Sequence, residues 1–449
     1  TDVVGEQDKA ARVAGVLVLP GLAGLGLGVA PARRRGAGVA GIAAFGAAGT
    51  AAAVAGPAGR PLDALPALVG AAAAATALVL LLGPLAAPGR RDPDRRRFLL
   101  AGGTALAVAV LGGLGGRLLL RRFDVGGSRS DLALPPPAGP APALPPGADL
   151  AAEVAGLTPL VTANRDFYRI DTAITVPQLD PAAHRLRLTG MVAAPRTYTL
   201  DDLLGRGDLI ERDITLTCVS NEVGGRLAGT ARWLGVPLGA FLRENGVSPA
   251  SDQLVCTSDD GMTIGVPTRA ALEVPDAMLA VGMNGESLPV EHGFPLRMVV
   301  PGLYGYVSAC KWLTGIEATT YDALDAFWVR RGWAASGPVR IASRIDTPSA
   351  LRPLPPGRGA VAGVAWAQTR GIAAVEVQVD DGAWLPARLS TEVDADVWRQ
   401  WVLAYDFPPG RHRLTVRATA GDGEVQTAER AGPYPAGATG LHSISVLVG

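Results

Sequence analysis

The chain is poor in the side chains that most often hold haem and redox metals. It has 449 residues but only four histidines and three cysteines, Cys218, Cys256 and Cys310. Three cysteines are too few for a disulfide framework, and their odd number leaves at least one thiol without an internal partner. The sequence contains no Cys-x-x-Cys-His motif, and its first histidine is His184. We therefore expect no haem site in this chain.

The sequence also lacks an excess of charge. Lysine plus arginine and aspartate plus glutamate both number 41, which gives a formal net charge of +0, so nothing indicates a nucleic-acid partner. Aromatic residues make up only 5% of the chain. Apolar residues are plentiful, with a mean hydropathy of +0.25, and they are concentrated towards the N-terminus. The length predicts two or three folded units.

Long apolar segments dominate the N-terminal part. They are Val13–Ala30, Gly38–Ala55, Leu65–Ala87 and Phe98–Leu120. Each approaches the ~20 residues that a helix needs to cross a hydrocarbon core. Because they lack a polar stripe, membrane spans are favoured over the alternative, buried helices of a soluble bundle. Residues 1–127 are thus predicted to form a transmembrane anchor of about four helices.

Arginine clusters predict the orientation of these spans. Arg33–Arg35 follow the first segment, and five arginines lie within Arg90–Arg97, before the fourth. The positive-inside tendency places both clusters in the cytoplasm. Everything after about Arg122 is then extracytoplasmic, at the outer face of the cell membrane, and the N-terminus is also outside, which predicts a further preceding span. Arg95–Leu99 also resembles a twin-arginine export signal, although an ordinary positive-inside flank has the same pattern.

Three regions follow the apolar segments. Residues 128–156 are rich in proline, which favours an extended, semi-rigid linker. Residues 157–335 alternate short strand-like and helical runs, which indicates an α+β domain. Residues 336–449 show period-two strands separated by turns, which predicts an all-β, immunoglobulin-like sandwich. The strand-like runs of the α+β region are His184–Leu188, Ile214–Cys218, Gln253–Cys256 and Arg297–Val300, and its helical runs are Leu200–Leu204, Leu238–Asn245 and Arg269–Leu272.

One cysteine is placed for metal chemistry. Cys218 ends a strand-like run and precedes a loop that contains Gly224 and Gly225. A strand that delivers one thiol to such a loop presents a soft ligand at a cavity, which suits a soft metal or nucleophilic catalysis. On spacing alone, however, a buried apolar cysteine is the simpler interpretation.

Three motifs favour the metal ligand. They are Thr162–Arg169, then Thr217–Asn221 followed by Ala231–Leu238, then Glu291–Gly302 running into Lys311–Leu313. In this order they resemble the sulfite oxidase family of molybdopterin-dependent oxidoreductases, in its membrane-anchored bacterial branch with a C-terminal dimerisation domain. The resemblance implies a molybdenum–molybdopterin cofactor. It also implies that Cys218 is the metal ligand and the catalytic residue.

The same resemblance implies which residues bind the pterin. They are Asn164, Phe167, Tyr168, Arg169, Asp259, His292, Arg297, Ser308, Ala309, Cys310 and Lys311. Arg297 can bind a phosphate through two hydrogen bonds, and Lys311 can add a point charge. Alone, Arg297 would more often form a structural ion pair, but its place in an ordered motif favours the cofactor. Asp260 is an alternative to its neighbour Asp259.

Three residues, in two places, depart from the family pattern. Glu222 and Val223 stand where the family's sulfite oxidases carry arginines, and Trp333 takes the place of an active-site tyrosine. Because Glu222 would repel an anion, sulfite is in doubt as the substrate. We expect oxygen-atom transfer, either oxidation of sulfite or reduction of S- or N-oxides. A non-catalytic envelope scaffold or adhesion protein is the alternative from another class.

The expected partners follow from the same resemblance. Besides a small-molecule substrate and the membrane, a redox partner is needed, either a cytochrome or a quinone-linked protein. The C-terminal domain begins with Ser343–Pro348, which resembles the start of the family's dimerisation domain. We therefore expect a homodimer formed through this domain.

Overall fold

The structure is a computed structural model that describes residues 35–54, 61–82, 125–173, 175–350 and 352–449, with the single residues 100, 103, 107 and 110. The chain divides into two compact units, residues 1–124 and residues 125–449. All three motifs singled out in the sequence lie in the second unit.

The described part of the first unit contains two helices, α1 (Arg35–Val54) and α2 (Leu65–Leu82). They coincide with the predicted spans Gly38–Ala55 and Leu65–Ala87, but none of the helices in the described residues is long and apolar enough to cross a membrane. For these two segments, the membrane spans stay a prediction. The first apolar segment, nearly all of the fourth and the Arg95–Leu99 motif lie outside the described residues.

The proline-rich segment lies against the folded domains instead of forming a free spacer. After helix α3 (Gly126–Asp131), Gly139 pairs in parallel with Ile210. Further on, Leu150 is 0% exposed, and its N–H donates to Gln400 Oε1. Apolar side chains that follow the last of these prolines, Ala148, Leu150 and Val154, are thus buried, which fixes the segment to the domains that follow.

A mixed α+β domain forms the first part of the second unit, as predicted. Its strands are β1 (Arg185–Gly190), β2 (Arg196–Thr199), β3 (Ile210–Thr217), β4 (Ala228–Pro237), β5 (Gln253–Ser258), β6 (Thr263–Pro267), β7 (Met278–Met283), β8 (Glu286–Ser287), β9 (Arg297–Val299) and β10 (Leu313–Thr319). Its helices are α4 (Leu200–Leu204), α5 (Leu238–Glu244) and α6 (Thr268–Glu273). Each predicted strand and helix of this region falls on one of these elements.

These strands form two sheets around a shared core. One has the order β3-β4-β7-β8 with β9 paired to β7, and the other has the order β2-β1-β10-β5-β6. One apolar cluster contains residues of both sheets, among them Leu279 and Ile316, together with Phe241 of α5. A second cluster, which includes Phe167 and Trp233, involves the first sheet alone. Burial of apolar side chains therefore fixes the two sheets relative to each other.

The C-terminal domain is an all-β sandwich, as predicted. Its strands are β11 (Ala342–Thr347), β12 (Pro353–Leu354), β13 (Gly357–Trp366), β14 (Ile372–Val379), β15 (Trp384–Pro386), β16 (Arg388–Leu389), β17 (Arg399–Phe407), β18 (Gly410–Ala420) and β19 (His442–Val448). The two sheets have the orders β11-β13-β17-β16 and β12-β19-β18-β14-β15. Alternate residues of β14, such as Val375 and Val377, are buried in the core between the sheets, as the period-two pattern requires.

The sandwich packs directly against the α+β domain. One apolar cluster joins Leu160, Val219 and Tyr304 of the α+β domain to Trp366 and Trp398 of the sandwich. Val219 follows the predicted metal ligand in sequence. The contact between the two domains therefore begins next to the candidate site.

Candidate active site

Strand β3 carries Cys218 to the edge of a cleft. The N–H of Cys218 donates to Leu227 O at 2.9 Å, which closes the loop between β3 and β4. The residue is 8% exposed, and Ser220 N–H donates to its Sγ at 3.4 Å. A largely buried thiol is thus presented at a cavity wall, as the sequence predicts.

The cleft beside Cys218 has an empty volume of about 870 Å³. Seven of the residues predicted for the site line it, namely Phe167, Tyr168, Cys218, His292, Arg297, Ala309 and Lys311. The fold therefore brings together residues from all three motifs.

Arg297 is buried in the cleft wall with part of its donor capacity unused. Its Nη1 donates to His292 O at 2.9 Å, and its guanidinium lies 4.9 Å from the centre of the Trp233 ring. Its Nε is buried and has no hydrogen-bond partner. Because a buried donor without a partner costs about 1–3 kcal/mol, this N–H favours an acceptor bound in the cleft. Burial lowers the pKa of Arg297 to about 10, so the group is still a cation at neutral pH.

A buried ion pair holds Lys311 in position. Lys311 Nζ donates to Asp171 Oδ2 at 2.7 Å and to Glu291 O at 3.1 Å. The two paired side chains are only 9% and 3% exposed. Burial lowers the pKa of Lys311 to about 8, and Asp171 opposes that shift. Lys311 is thus a fixed cation whose charge is largely balanced by its partner.

An aromatic corner is formed by Phe167, Tyr168 and His292. Phe167 stacks on Tyr168 with centroids 5.2 Å apart and meets His292 edge-on at 5.5 Å. His292 Nε2 lies 3.0 Å from Asn164 O. Since a carbonyl can only accept, Nε2 carries the proton and Nδ1 is an acceptor. Burial, aided by Arg297, lowers the pKa of His292 to about 4, so the ring is neutral.

Burial also shifts the pKa values of two further groups in the cleft, the Tyr168 hydroxyl and the Cys218 thiol. It raises the pKa of the Tyr168 hydroxyl and that of the Cys218 thiol. For Cys218, the N–H and side chain of Ser220 and the charge of Lys311 act in the opposite direction. Tyr168 therefore remains a hydrogen-bond donor. Cys218 needs a bound cation, such as a metal, to become a thiolate.

Asn164 and Arg169 support the cleft from outside it. Asn164 Nδ2 donates to Glu286 Oε1, so only the backbone carbonyl of Asn164 reaches His292. Arg169 Nε donates to Asp171 Oδ2 at 2.9 Å, the oxygen that also binds Lys311. Neither side chain lines the cleft, and direct contact of Asn164 and Arg169 with the pterin stays a prediction.

Asp259, Ser308 and Cys310 also lie outside the cleft lining. Ser308 is 0% exposed, and its Oγ donates to a backbone carbonyl at 3.0 Å. Cys310 is 0% exposed and belongs to the core shared by the two sheets. Asp260 rather than Asp259 lines the cleft, where it accepts a hydrogen bond from Thr172 at 2.8 Å. Ser308 and Cys310 are therefore buried in the fold, and direct contact of Asp259, Ser308 and Cys310 with the pterin stays a prediction.

Much of the remaining wall is aromatic and was not predicted. Tyr306, Trp328 and Trp333 line the cleft, and Trp333 lies 5.9 Å from Tyr306 and 6.2 Å from Trp328 between ring centroids. The sequence pattern predicts only Trp333 as a residue of this wall. The aromatic run Phe327–Trp333 is the signal that could also have found Trp328.

Glu222 does not line the cleft. It is exposed and borders a separate, smaller pocket together with Tyr304 and Trp366. The expectation that this carboxylate repels an anionic substrate therefore needs correction. The loop after Cys218 turns towards the sandwich, and this carries Glu222 away from the thiol.

The donors in the cleft fit a metal-bound pterin that carries a phosphate. Arg297 Nε and Ser258 Oγ are both buried without a partner, and both residues line the cleft. Such groups suit a ligand rich in acceptors. Cys218 adds the soft ligand that a sulfur-bound metal prefers.

Comparison with known proteins identifies the same chemistry. Residues 173–328 match the family model described as an oxidoreductase molybdopterin binding domain. Mitochondrial sulfite oxidase of Homo sapiens is 29% identical over 297 residues, which cover 56% of this chain and 54% of that protein. NADH nitrate reductase of Solanum lycopersicum is 28% identical over 174 residues, 33% of this chain and 19% of that protein. The chain thus spans about half the length of the sulfite oxidases it matches.

A solved structure extends the likeness to the fold. The sulfane dehydrogenase SoxCD from Paracoccus pantotrophus has a TM-score of 0.55 and 25% identity, over 63% of this chain and 80% of that chain. Fold, cleft and matches together indicate an oxidoreductase domain that binds molybdopterin. The chain is similar to the sulfite oxidase family of molybdenum-dependent oxidoreductases, and these relatives imply a molybdenum–molybdopterin cofactor.

Proposed function

We propose that this protein transfers an oxygen atom between a small substrate and water, with Cys218 as the protein ligand to molybdenum. The observation that carries the proposal is the shared cleft of the Cys218 thiol and the unpaired Nε of Arg297. When bound, the cofactor supplies the oxygen-atom transfer and accepts or donates the two electrons. The residues of the chain bind the cofactor, orient it and hold protons beside it.

The proposed roles of the cleft residues follow from their charge, their protonation and their shape. Arg297 and Lys311 bind the anionic parts of the cofactor, Arg297 as a planar donor and Lys311 as a point charge. Tyr168 holds its proton and donates a hydrogen bond, whereas neutral His292 offers Nδ1 as an acceptor. Phe167 packs against both rings, stacked on Tyr168 and edge-on to His292. Ala309 lines the cleft with a small side chain that leaves room for the pterin.

Substitution of the proposed ligand tests this function. Cys218→Ser replaces a soft ligand by a hard one, and turnover should fall by roughly a hundredfold or more, with loss of the sulfur-to-metal absorption band. Cys256→Ser is the matched control, since Cys256 is buried in the core away from the cleft. Metal analysis of the wild-type protein should find molybdenum. A wild-type protein without molybdenum, or a Cys218→Ser variant with full activity, would contradict the proposal and favour a non-catalytic envelope scaffold.

The lining of the cleft favours a second candidate reaction, the reduction of S- or N-oxides. The charge of Lys311 is balanced by Asp171 at 2.7 Å, and the wall around Trp328 and Trp333 is aromatic. A sulfite anion gains little from such a surface, whereas a neutral oxide with apolar substituents packs against it. A substrate screen decides the direction. Turnover of sulfite with a one-electron acceptor supports oxidation, and turnover of sulfoxides or amine oxides with an artificial donor supports reduction.

We also propose that the catalytic domain works on the extracytoplasmic side of the cell membrane, as a homodimer served by a cytochrome or a quinone-linked partner. The arginine clusters Arg33–Arg35 and Arg90–Arg97 support the location, and the resemblance of the sandwich to a dimerisation domain supports the dimer. Protease protection in intact cells tests the location. Light scattering on the whole protein tests the dimer, and a monomeric mass would contradict it.

A further inference from the structure

The sandwich covers the free edge of strand β3 just before Cys218. β3 is the edge strand of its sheet, and edge strands present unpaired N–H and C=O groups. Thr215 N–H donates to Asp396 O at 2.9 Å, and Trp398 N–H donates to Thr215 Oγ1 at 2.7 Å. The backbone of the sandwich thus continues the hydrogen bonding of β3 near its end.

Gln368 extends this attachment to the residue next to the thiol. The side chain belongs to the loop between β13 and β14, and the residue is 4% exposed. Its Nε2 donates to Thr215 O at 3.1 Å and to Thr217 Oγ1 at 3.3 Å. A carbonyl accepts only, so the amide nitrogen must face β3. Gln368 itself does not line the cleft, and any effect on the site must pass through β3.

Other residues of the sandwich hold the loop that follows Cys218. Arg344 Nη1 donates to Gly225 O at 3.0 Å. Gly224 packs so closely against His442 that an added Cβ would lie 2.3 Å from the imidazole ring. Cys218 is therefore fixed on its N-terminal and C-terminal sides by contacts from the sandwich.

We infer that the sandwich is a positioning element for the metal ligand and that Gln368 is its main positioning residue. The inference rests on the proposed role of Cys218 as that ligand. By binding Thr215 and Thr217, Gln368 fixes the end of the strand from which the thiol enters the cleft. A metal ligand must be held to within a fraction of an ångström, and the edge of a sheet does not supply such restraint by itself.

A pair of isosteric variants tests the inference. Gln368→Met keeps the length of the side chain and removes both hydrogen bonds to β3. Gln400→Met is the matched control. Gln400 is 0% exposed in the same sandwich, and its side chain bonds Leu150 N–H and Thr158 O rather than β3.

Thiol reactivity of the full chain, prepared without cofactor, gives a readout that needs no metal. Cys256 and Cys310 are 0% exposed and Cys218 is 8% exposed, so an aromatic disulfide reagent reports on Cys218 in the folded protein. We expect Gln368→Met to react about tenfold faster than wild type, because losing buried hydrogen bonds shifts local opening by a factor of that order. Gln400→Met should react at the wild-type rate. Equal rates for the two variants would overturn the inference.

The holoenzyme provides the second readout. Gln368→Met should shift the sulfur-to-metal absorption band of the loaded protein, whereas Gln400→Met should not. If the protein holds no molybdenum, the proposed function fails, but the thiol rates still decide whether Gln368 positions Cys218. Should Gln368→Met fail to fold, Thr217→Val removes only one acceptor. It should raise the reaction rate in the same direction, and an unchanged rate would contradict the inference.

Discussion

Arg297 and Arg232 show at the scale of single residues how a binding group differs from a structural one. Arg232 forms two hydrogen bonds with Asp213, through Nε and Nη2. Within the described residues, Arg297 is buried without an ion pair and keeps an unpaired Nε. A buried cation without a counter-ion is costly. An anionic group bound in the cleft would offset this cost. We therefore assign Arg297 to ligand binding and not to stabilisation of the fold.

We therefore expect Arg297→Met to weaken cofactor binding more than it lowers the stability of the fold. Methionine fills a similar volume and removes the buried charge, so the fold should be retained. The affinity for the pterin should fall by about 10- to 100-fold, the range seen when groups that support a metal site are lost. Pterin fluorescence after oxidative release measures the loss. Arg269→Met, which removes an exposed ion pair with Glu273, is the control, and equal pterin content in both variants would count against the role.

Local pattern explains which parts of the site the sequence can predict. Cys218, Arg297 and Lys311 lie in ordered motifs at the ends of strands, where neighbouring residues predict the backbone. Asp171 and Gln368 act through contacts with residues far away in sequence, Asp171 with Lys311 and Gln368 with Thr215 and Thr217, and no motif includes either residue. Composition predicts the backbone conformation of a segment but not the residues that the segment contacts. The prolines of residues 128–156 favour an extended chain, but apolar residues that follow them, such as Leu150, are buried against the domains.

At the scale of elements, the loop between β3 and β4 depends on close contact with β19. Gly224 has a φ of +80°, in the left-handed region that glycine adopts readily. It lies where the loop meets His442 at the start of β19. The loop after Cys218 can approach the sandwich this closely only because position 224 has no side chain.

Gly224→Ala should destabilise the protein by more than backbone strain alone. The strain of a positive φ costs about 1 kcal/mol or more, and collision with the His442 ring adds to it. Gly423→Ala isolates the strain, because Gly423 has a φ of +90° but nothing within 4 Å of an added Cβ. Denaturant unfolding of both variants measures the difference. Equal losses of unfolding free energy would mean that the loop moves freely away from β19.

At the scale of the whole molecule, three aspartates lie together at the junction between the α+β domain and the sandwich. Oxygen atoms of Asp276, Asp394 and Asp396 lie within 4.8 Å of one another, with Asp276 from the α+β domain and the other two from the sandwich. Arg212 pairs with Asp276 at 2.9 Å. Burial, with smaller contributions from the other two carboxylates, raises the pKa of Asp396 to about 7. The junction that holds β3 therefore contains a group that titrates near neutral pH.

Stability should consequently fall as pH rises towards neutrality. Between the ordinary pKa of 3.8 and the raised value of about 7, the folded state keeps the Asp396 proton that the unfolded state has lost. Unfolding free energy then decreases with rising pH, by roughly 1.4 kcal/mol per pH unit inside this window, and becomes flat above it. Asp396→Asn retains an oxygen for the Thr369 N–H but cannot titrate.

Urea unfolding at several pH values, compared between wild type and Asp396→Asn, measures this contribution. The wild type should lose stability relative to the variant across the window, whereas exposed Asp394→Asn should follow the wild-type profile more closely. Parallel profiles for wild type and Asp396→Asn would mean that the Asp396 carboxyl ionises at its ordinary pKa. The domain junction would then carry no proton at neutral pH, because the buried carboxylate would be stabilised by its hydrogen bonds alone.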